Sequence, residues 1–136
     1  NATEIGEGAF AYNEKLKTVY LNGTLEKIGA YTFALCRSLD TVELPASVKT
    51  ISDYAFYLTG FTGESVNLEN VDTIGDYAYA DTLITKVTFK DGVSIGEAAF
   101  RNCLKLTNVD LSKVKSMQVG TCMVPTSRTE VPLLLL

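Results

Sequence analysis

Residues 39–56 read LDTVELPASVKTISDYAF, and the apolar residues of this stretch follow two different spacings. Val42 and Leu44 alternate with polar neighbours, which is the pattern of a strand with one buried face. Ala55 and Phe56 lie four and five residues after Ile51, and a single helical turn would place all three side chains on one side. The stretch therefore predicts a short strand followed by a short α-helical or 3₁₀ segment.

The same order of residues recurs along most of the chain. Each copy opens with an isoleucine, and these are Ile5, Ile28, Ile51, Ile74 and Ile95, at intervals of 23, 23, 23 and 21 residues. The valines of the predicted strands are Val19, Val42, Val66, Val87 and Val109. Units this short cannot bury their apolar side alone, so the period indicates a solenoid of stacked units.

We therefore predict an α/β repeat solenoid, with short parallel strands on one face and short helical or 3₁₀ turns on the other. The strands should be parallel because every unit runs in the same direction. Five units should fill residues 1–116, and residues 117–136 should form a degenerate or capping tail, in which Met117 could open a sixth unit. We expect the aligned valines to form one interior column. The irregular stretch from Leu58 to Ser65 is either a self-correcting bulge, with Phe61 in the core, or a functional projection.

The composition argues against several classes of function. Twelve basic and sixteen acidic residues give a net charge of −4, so no basic stripe is present to bind nucleic acid. No apolar run approaches the roughly 18 residues of a membrane span, so we expect no membrane insertion. The chain contains no histidine. We therefore expect no catalytic residues, no metal site and no cofactor, and we attribute Asp53, Asp76 and Glu97 to the preference for acids at helix N-termini.

The three cysteines do not form an obvious pair. Cys36 and Cys103 each stand eight residues after an opening isoleucine, three units apart. At about 4.8 Å per strand they should lie roughly 14 Å from each other, whereas a disulfide needs Cα atoms within about 7 Å. We expect small, buried, unbridged side chains at both positions. Nothing in the sequence assigns a partner to Cys122.

The order Leu-x-x-Val-x-Leu-Pro-x-x-Val-x-x-Ile-x-x-x-Ala-Phe, complete in residues 39–56, resembles the BspA-like class of leucine-rich repeats. The resemblance covers about residues 5–116. It implies a bacterial or protist protein that is secreted or held at the cell surface. It also implies an adhesin-like function, with host or neighbouring-cell proteins as ligands, among them extracellular matrix and plasma proteins.

The outward side chains of the predicted strands form a polar grid, which is the candidate ligand-binding surface. Its members are Thr18, Tyr20, Asn22, Thr41, Glu43, Ser65, Asn67, Glu69, Lys86, Thr88, Lys90, Asn108, Asp110 and Ser112. Such a grid is either a contact surface or simply the solvated side of half-buried strands. Glu69 and Lys90 should be cross-strand neighbours. A second row, Tyr31, Tyr54 and Tyr77, could stack as a ladder, which we favour, or present hydroxyl groups to a partner.

Two functions fit these observations. The first is a non-catalytic protein-binding module of a cell-surface adhesin, and the second is a passive spacer or scaffold segment of a larger protein. Both use the same fold, because fold alone does not fix function.

Overall fold

The computed structural model describes residues 2–61, 65–107 and 109–118. Its strands are β1 (Glu4–Ile5), β2 (Thr18–Tyr20), β3 (Lys27–Ile28), β4 (Thr41–Glu43), β5 (Thr50–Ile51), β6 (Ser65–Leu68), β7 (Thr73–Ile74), β8 (Lys86–Phe89), β9 (Val93–Ile95) and β10 (Val114–Met117). A single 3₁₀ turn, Leu111–Lys113, is the only helical element of the described residues. Each turn of the solenoid is called a coil here, and coils 1 to 5 open at the five isoleucines.

The longest sheet runs through the opening isoleucines. Its six parallel strands lie in the order β1, β3, β5, β7, β9 and β10, and the isoleucines of successive coils are paired in register. Met117 pairs with Ile95, so β10 begins a further coil. Each strand has only two to four residues, and the sheet is stabilised by stacking between coils rather than by strand length.

The predicted valine strands form two separate parallel pairs. Val19 pairs with Val42 in β2 and β4, and Val66 pairs with Val87 in β6 and β8. This register and the parallel direction confirm the prediction within each pair. The predicted continuous strand face is wrong, because β4 does not pair with β6 and Val109 lies outside any strand. The interruption coincides with the irregular stretch before Ser65, whose Phe61 is buried in the core as expected.

The wall opposite the valine strands consists of consecutive β-turns, so the predicted helical segments are not found there. In coil 2 the N–H groups of Thr32 and Ala34 bond to carbonyls three residues back, at 3.3 and 3.1 Å. The alternate N–H groups, those of Tyr31 and Phe33, donate to the next coil at 3.0 and 2.8 Å. This alternation between hydrogen bonds within the coil and hydrogen bonds to the next coil is accompanied by a left-handed backbone at every fourth residue. Tyr31 and Leu35 both have φ of 59°.

The core contains one continuous column of aromatic rings. Phe10, Phe33, Phe56, Tyr79 and Phe100 occupy the same place in coils 1 to 5, with successive ring centroids 5.6, 5.4, 5.0 and 5.6 Å apart. The last four rings are fully buried, and Phe10 is 44% exposed. Each ring therefore contributes to the burial of both neighbouring coils.

Cys36 and Cys103 are buried and unbridged, which confirms the prediction for these two residues. Cys36 Sγ donates to the Phe10 carbonyl at 3.1 Å, and Cys103 Sγ donates to the Tyr79 carbonyl at 3.2 Å. Both thiols thus satisfy a main-chain acceptor of the preceding coil. Cys122 and the leucine-rich end of the chain lie outside the described residues.

Candidate functional site

The exposed face of β2 and β4 holds the most compact group of candidate residues. Thr18, Tyr20, Thr41 and Glu43 are exposed and line one groove. The strand register places Thr18 beside Thr41 and Tyr20 beside Glu43. Tyr20 is 93% exposed, while Val19 behind it packs against the core and fixes the strand. This arrangement holds a large aromatic side chain in water next to a carboxylate and two hydroxyl groups.

The second strand pair carries a smaller group of candidates. Ser65 lies opposite Lys86 and Asn67 lies opposite Thr88. The side chain of Lys86 is exposed, and that of Thr88 is half-buried. Asn108 falls outside the described residues. Since β4 and β6 are not paired, the structure does not join the two groups into one ladder.

Three candidate side chains stabilise turns. Asn22 Oδ1 accepts from the Thr24 N–H at 3.0 Å, and Asn67 Oδ1 accepts from the Glu69 N–H at 3.0 Å. Asp110 caps the 3₁₀ turn by accepting from the Ser112 N–H at 3.0 Å and from its hydroxyl at 2.6 Å. The hydrogen bonds from Ser112 lower the pKa of the Asp110 carboxyl. These contacts give the residues a local structural function.

The outermost candidates lie beyond the ends of the strands. Asn22, Glu69, Lys90 and Ser112 all follow the last residue of a strand or belong to the 3₁₀ turn. The Lys90 ammonium forms an ion pair with Asp72. The carboxylate that pairs with Lys90 is thus that of Asp72, and not that of its expected cross-strand neighbour Glu69. Hydrogen bonding from Lys90 lowers the pKa of the Asp72 carboxyl.

Tyr31, Tyr54 and Tyr77 form a stacked ladder on the turn wall. Their ring centroids are 4.8 Å apart at each step, and each pair of rings is inclined by 3°. The rings of Tyr57 and Tyr54 pack edge to face, with their centroids 5.3 Å apart. Burial raises the pKa of Tyr54, with smaller contributions from Tyr31 and Tyr77. Stacking is confirmed, and Tyr31 is exposed while Tyr54 and Tyr77 are half-buried.

The acidic residues after the opening isoleucines have a function that sequence reasoning missed. Asp53 Oδ1 accepts from the Asp76 N–H at 2.8 Å, and Asp76 Oδ1 accepts from the Glu97 N–H at 2.8 Å. The assignment to helix N-termini is therefore wrong, because no helix of the described residues begins at these positions. The Asp53 and Asp76 carboxylates instead connect one coil to the next. The recurring glycine between isoleucine and acid was the available signal: a Cβ at Gly75 would stand 2.5 Å from Asp53 Oδ1.

The described residues contain no group of three or more histidine, cysteine or acidic side chains that could hold a metal ion. Within the same ranges, no helix is long and apolar enough to cross a membrane. What the geometry does provide is exposed polar side chains on strands whose other side packs against the core.

Short coils of parallel strands and β-turns, stacked around a column of leucine, isoleucine and phenylalanine, define a leucine-rich repeat solenoid. More particularly, the chain belongs to the family described as the BspA type leucine-rich repeat region, whose model matches residues 3–122 as six copies. The sequence resemblance is thereby confirmed.

A solved structure supports the same assignment. The chain is similar to a leucine-rich repeat protein from Bacteroides ovatus, known from a crystal structure, with 28% sequence identity and a TM-score of 0.72. The match covers 78% of this chain and 28% of that protein, so the chain spans well under a third of its structural relative. A search of curated proteins finds none that matches this chain.

Proposed function

We propose that this chain is a non-catalytic protein-binding module and that the exposed face of β2 and β4 is its contact surface. The observation that carries the proposal is Tyr20, a large aromatic side chain that is 93% exposed on a strand whose other side is packed. Tyrosine is enriched at binding hot spots, because its ring offers contact area and its hydroxyl a hydrogen bond. The absence of histidine from the sequence agrees with a function that needs no general base.

We further propose that the protein acts at the cell surface or after secretion, as an adhesin that binds host or neighbouring-cell proteins. Extracellular matrix and plasma proteins are the ligands to examine first. Membership of the BspA-type family supports this proposal. Protease treatment of intact cells should then remove the protein, and survival of the protein until the cells are lysed would contradict a surface location.

The binding proposal is tested by replacing the exposed tyrosine. In capture assays with purified matrix and plasma proteins, Tyr20→Ala should weaken binding of the best ligand by about 30-fold, which corresponds to about 2 kcal/mol. Glu43→Ala, beside it, should cause a smaller loss, since a rim charge mainly changes the association rate.

Tyr12→Ala is the matched control, because Tyr12 is also highly exposed, at 72%, but lies on the turn wall. It should leave binding unchanged. Equal losses in the Tyr20 and Tyr12 variants would contradict the assignment of the surface. An unchanged melting temperature would show that each variant is folded.

A spacer is the second candidate function. It is favoured by the hydrogen bonds that join the coils on both the sheet and the turn wall, which make the array a continuous rod. Failure of the wild-type chain to capture any of the matrix or plasma proteins would support the spacer over the adhesin.

A further inference from the structure

A second groove runs along the outward face of the six-stranded sheet, from coil 3 to β10. It shares no residue with the groove beside Tyr20. Its floor contains the hydroxyl residues Thr73, Ser94 and Ser116, which stand in register on β7, β9 and β10. One wall contains Asp53, Asp76 and Glu97. The groove is thus lined by parallel rows of hydroxyl groups and carboxylates.

The charge of this groove is one-sided. It is lined by three carboxylates and by no lysine or arginine. Among the lysines at or near the same sheet, Lys27 pairs with Glu4 at 3.5 Å, Lys90 pairs with Asp72, and Lys49 donates to the Ala46 carbonyl at 3.0 Å. Lys115, on β10, is exposed and does not line the groove. A groove lined by one sign of charge attracts a ligand of the opposite sign.

Two of the three carboxylates, those of Asp53 and Asp76, are held in place before any ligand arrives. The Oδ1 atoms of Asp53 and Asp76 each accept a main-chain N–H of the next coil at 2.8 Å. The second oxygen of either residue forms no hydrogen bond or ion pair within the described part of the chain. Gly75 and Gly96 give the carboxylates room, since a Cβ at either would lie 2.5 or 2.4 Å from the carboxylate oxygen. Each aspartate therefore keeps one carboxylate oxygen that can accept a hydrogen bond from a partner.

We propose that this groove binds an extended, cationic polypeptide segment that runs along the solenoid axis. The three carboxylates repeat at the strand spacing of about 4.8 Å, so the row is about 10 Å long. In an extended chain, residues two or three apart are separated by roughly 7 to 10 Å. Two lysine or arginine residues at this separation would reach the carboxylates, and the hydroxyl row would bond to the peptide backbone. A metal ion is a poorer fit, because no acidic group of three converges within the described residues.

The test uses an isosteric change of charge. In the triple variant Asp53→Asn, Asp76→Asn and Glu97→Gln, the asparagine Oδ1 atoms can still accept the N–H groups of the next coil, so the coil contacts are kept. The control triple variant, Glu14→Gln, Glu26→Gln and Asp91→Asn, changes the net charge equally at three exposed positions away from the groove. The probe is a lysine decamer, with a glutamate decamer as the negative control.

A titration followed by ¹H–¹⁵N NMR at low salt should show saturable shifts at Thr73, Ser94 and Glu97. The groove variant should raise the Kd for the lysine decamer about 10-fold or more, and the control variant by about 3-fold or less. Equal weakening in both variants, shifts centred elsewhere, or no saturable binding would overturn the proposal.

A second variant covers the case in which the triple variant fails to fold. Glu97→Gln alone changes a side chain with no partner in the described structure, and it should raise the same Kd about 2- to 3-fold. No change would count against the groove. Tyr20→Ala should leave decamer binding intact, so failure of this proposal is distinguishable from failure of the adhesin proposal.

Discussion

At the scale of single residues, the coils differ in how they satisfy the same carbonyl group. Thr82 Oγ1 and Cys103 Sγ stand at equivalent places in coils 4 and 5, and both donate to the Tyr79 carbonyl, at 2.8 and 3.2 Å. Thr59 occupies the place in coil 3 and donates to Phe56. The sequence predicted a small buried residue at this position. It did not predict the hydrogen bond, because the acceptor belongs to a turn wall that the apolar pattern does not describe.

The thiol of Cys103 makes stability depend on pH. Burial raises its pKa from the ordinary 9.0 to about 11. The unfolded chain therefore releases this proton first, so the contribution of the thiol is complete below pH 9 and is lost as the pH rises from 9 to 11. Cys103→Thr, which introduces the residue found at the equivalent position Thr82, should remove this dependence. In urea unfolding, the wild type should lose about 2 kcal/mol more than the variant between pH 7.5 and 10.5. Parallel losses in the two proteins would contradict the assignment.

The candidate site is also partly readable at this scale. Tyr20 and Glu43 could be placed side by side from the repeat alone, since they share a position in consecutive units. The repeat predicts Asn22 and Asn67 as outward polar members of the grid, whereas their side chains accept from the backbone N–H two residues on. Asparagine commonly forms such turns, so this use was foreseeable. The division of the strand face into two pairs could not be predicted from the repeat, because it arises where β4 and β6 do not pair.

At the scale of elements, the strands were more predictable than the turn wall. Alternation of apolar and polar residues marks Thr41–Glu43 and Lys86–Phe89 as strands. The six-stranded sheet contains strands of two to four residues, which are too short to show a period. The turn wall places tyrosines at positive φ, with values of 59°, 59° and 56° at Tyr31, Tyr54 and Tyr77. Tyrosine rarely adopts positive φ, so the sequence does not indicate this conformation. Hydrogen bonds from these residues to the next coil offset its free-energy cost.

A side chain at Gly75 would block the close approach of coils 3 and 4 and should lower the free energy of unfolding. Gly75→Ala should destabilise the fold by about 1 to 3 kcal/mol, because the new Cβ would stand 2.5 Å from Asp53 Oδ1 and 2.6 Å from its main-chain nitrogen. Gly6→Ala is the matched control at the same repeat position. Nothing lies within 4 Å of a Cβ there, so the change should be within about 0.5 kcal/mol of neutral. Urea unfolding measures both, and similar values would refute the steric account.

At the scale of the whole molecule, the aromatic column couples each coil to the next. Phe56→Ala removes a buried ring that stacks on Phe33 at 5.4 Å and on Tyr79 at 5.0 Å. We expect a loss of about 3 to 5 kcal/mol. Amide exchange should quicken in coils 2, 3 and 4 together, because repeats are stabilised by their neighbours.

Phe10→Ala provides the comparison for this prediction. The Phe10 ring is 44% exposed and stacks on Phe33 alone in the described column. Its loss should cost about 1 kcal/mol or less, with faster exchange confined to coils 1 and 2. Exchange that changes only at the mutated coil in the Phe56 variant would argue against coupling along the column.

Main-chain hydrogen bonding runs in opposite senses on two sides of the array. On the turn wall Tyr31 donates forward to Asp53, and at the sheet Ser52 donates backward to Ile28. Interior coils present interchangeable donors and acceptors at these positions. A 23-residue cassette could consequently be excised or duplicated in frame, and the coils brought together would find matching partners. The length of the array can therefore change by whole coils, because the main-chain donors and acceptors at a new join are the same as those at the old one.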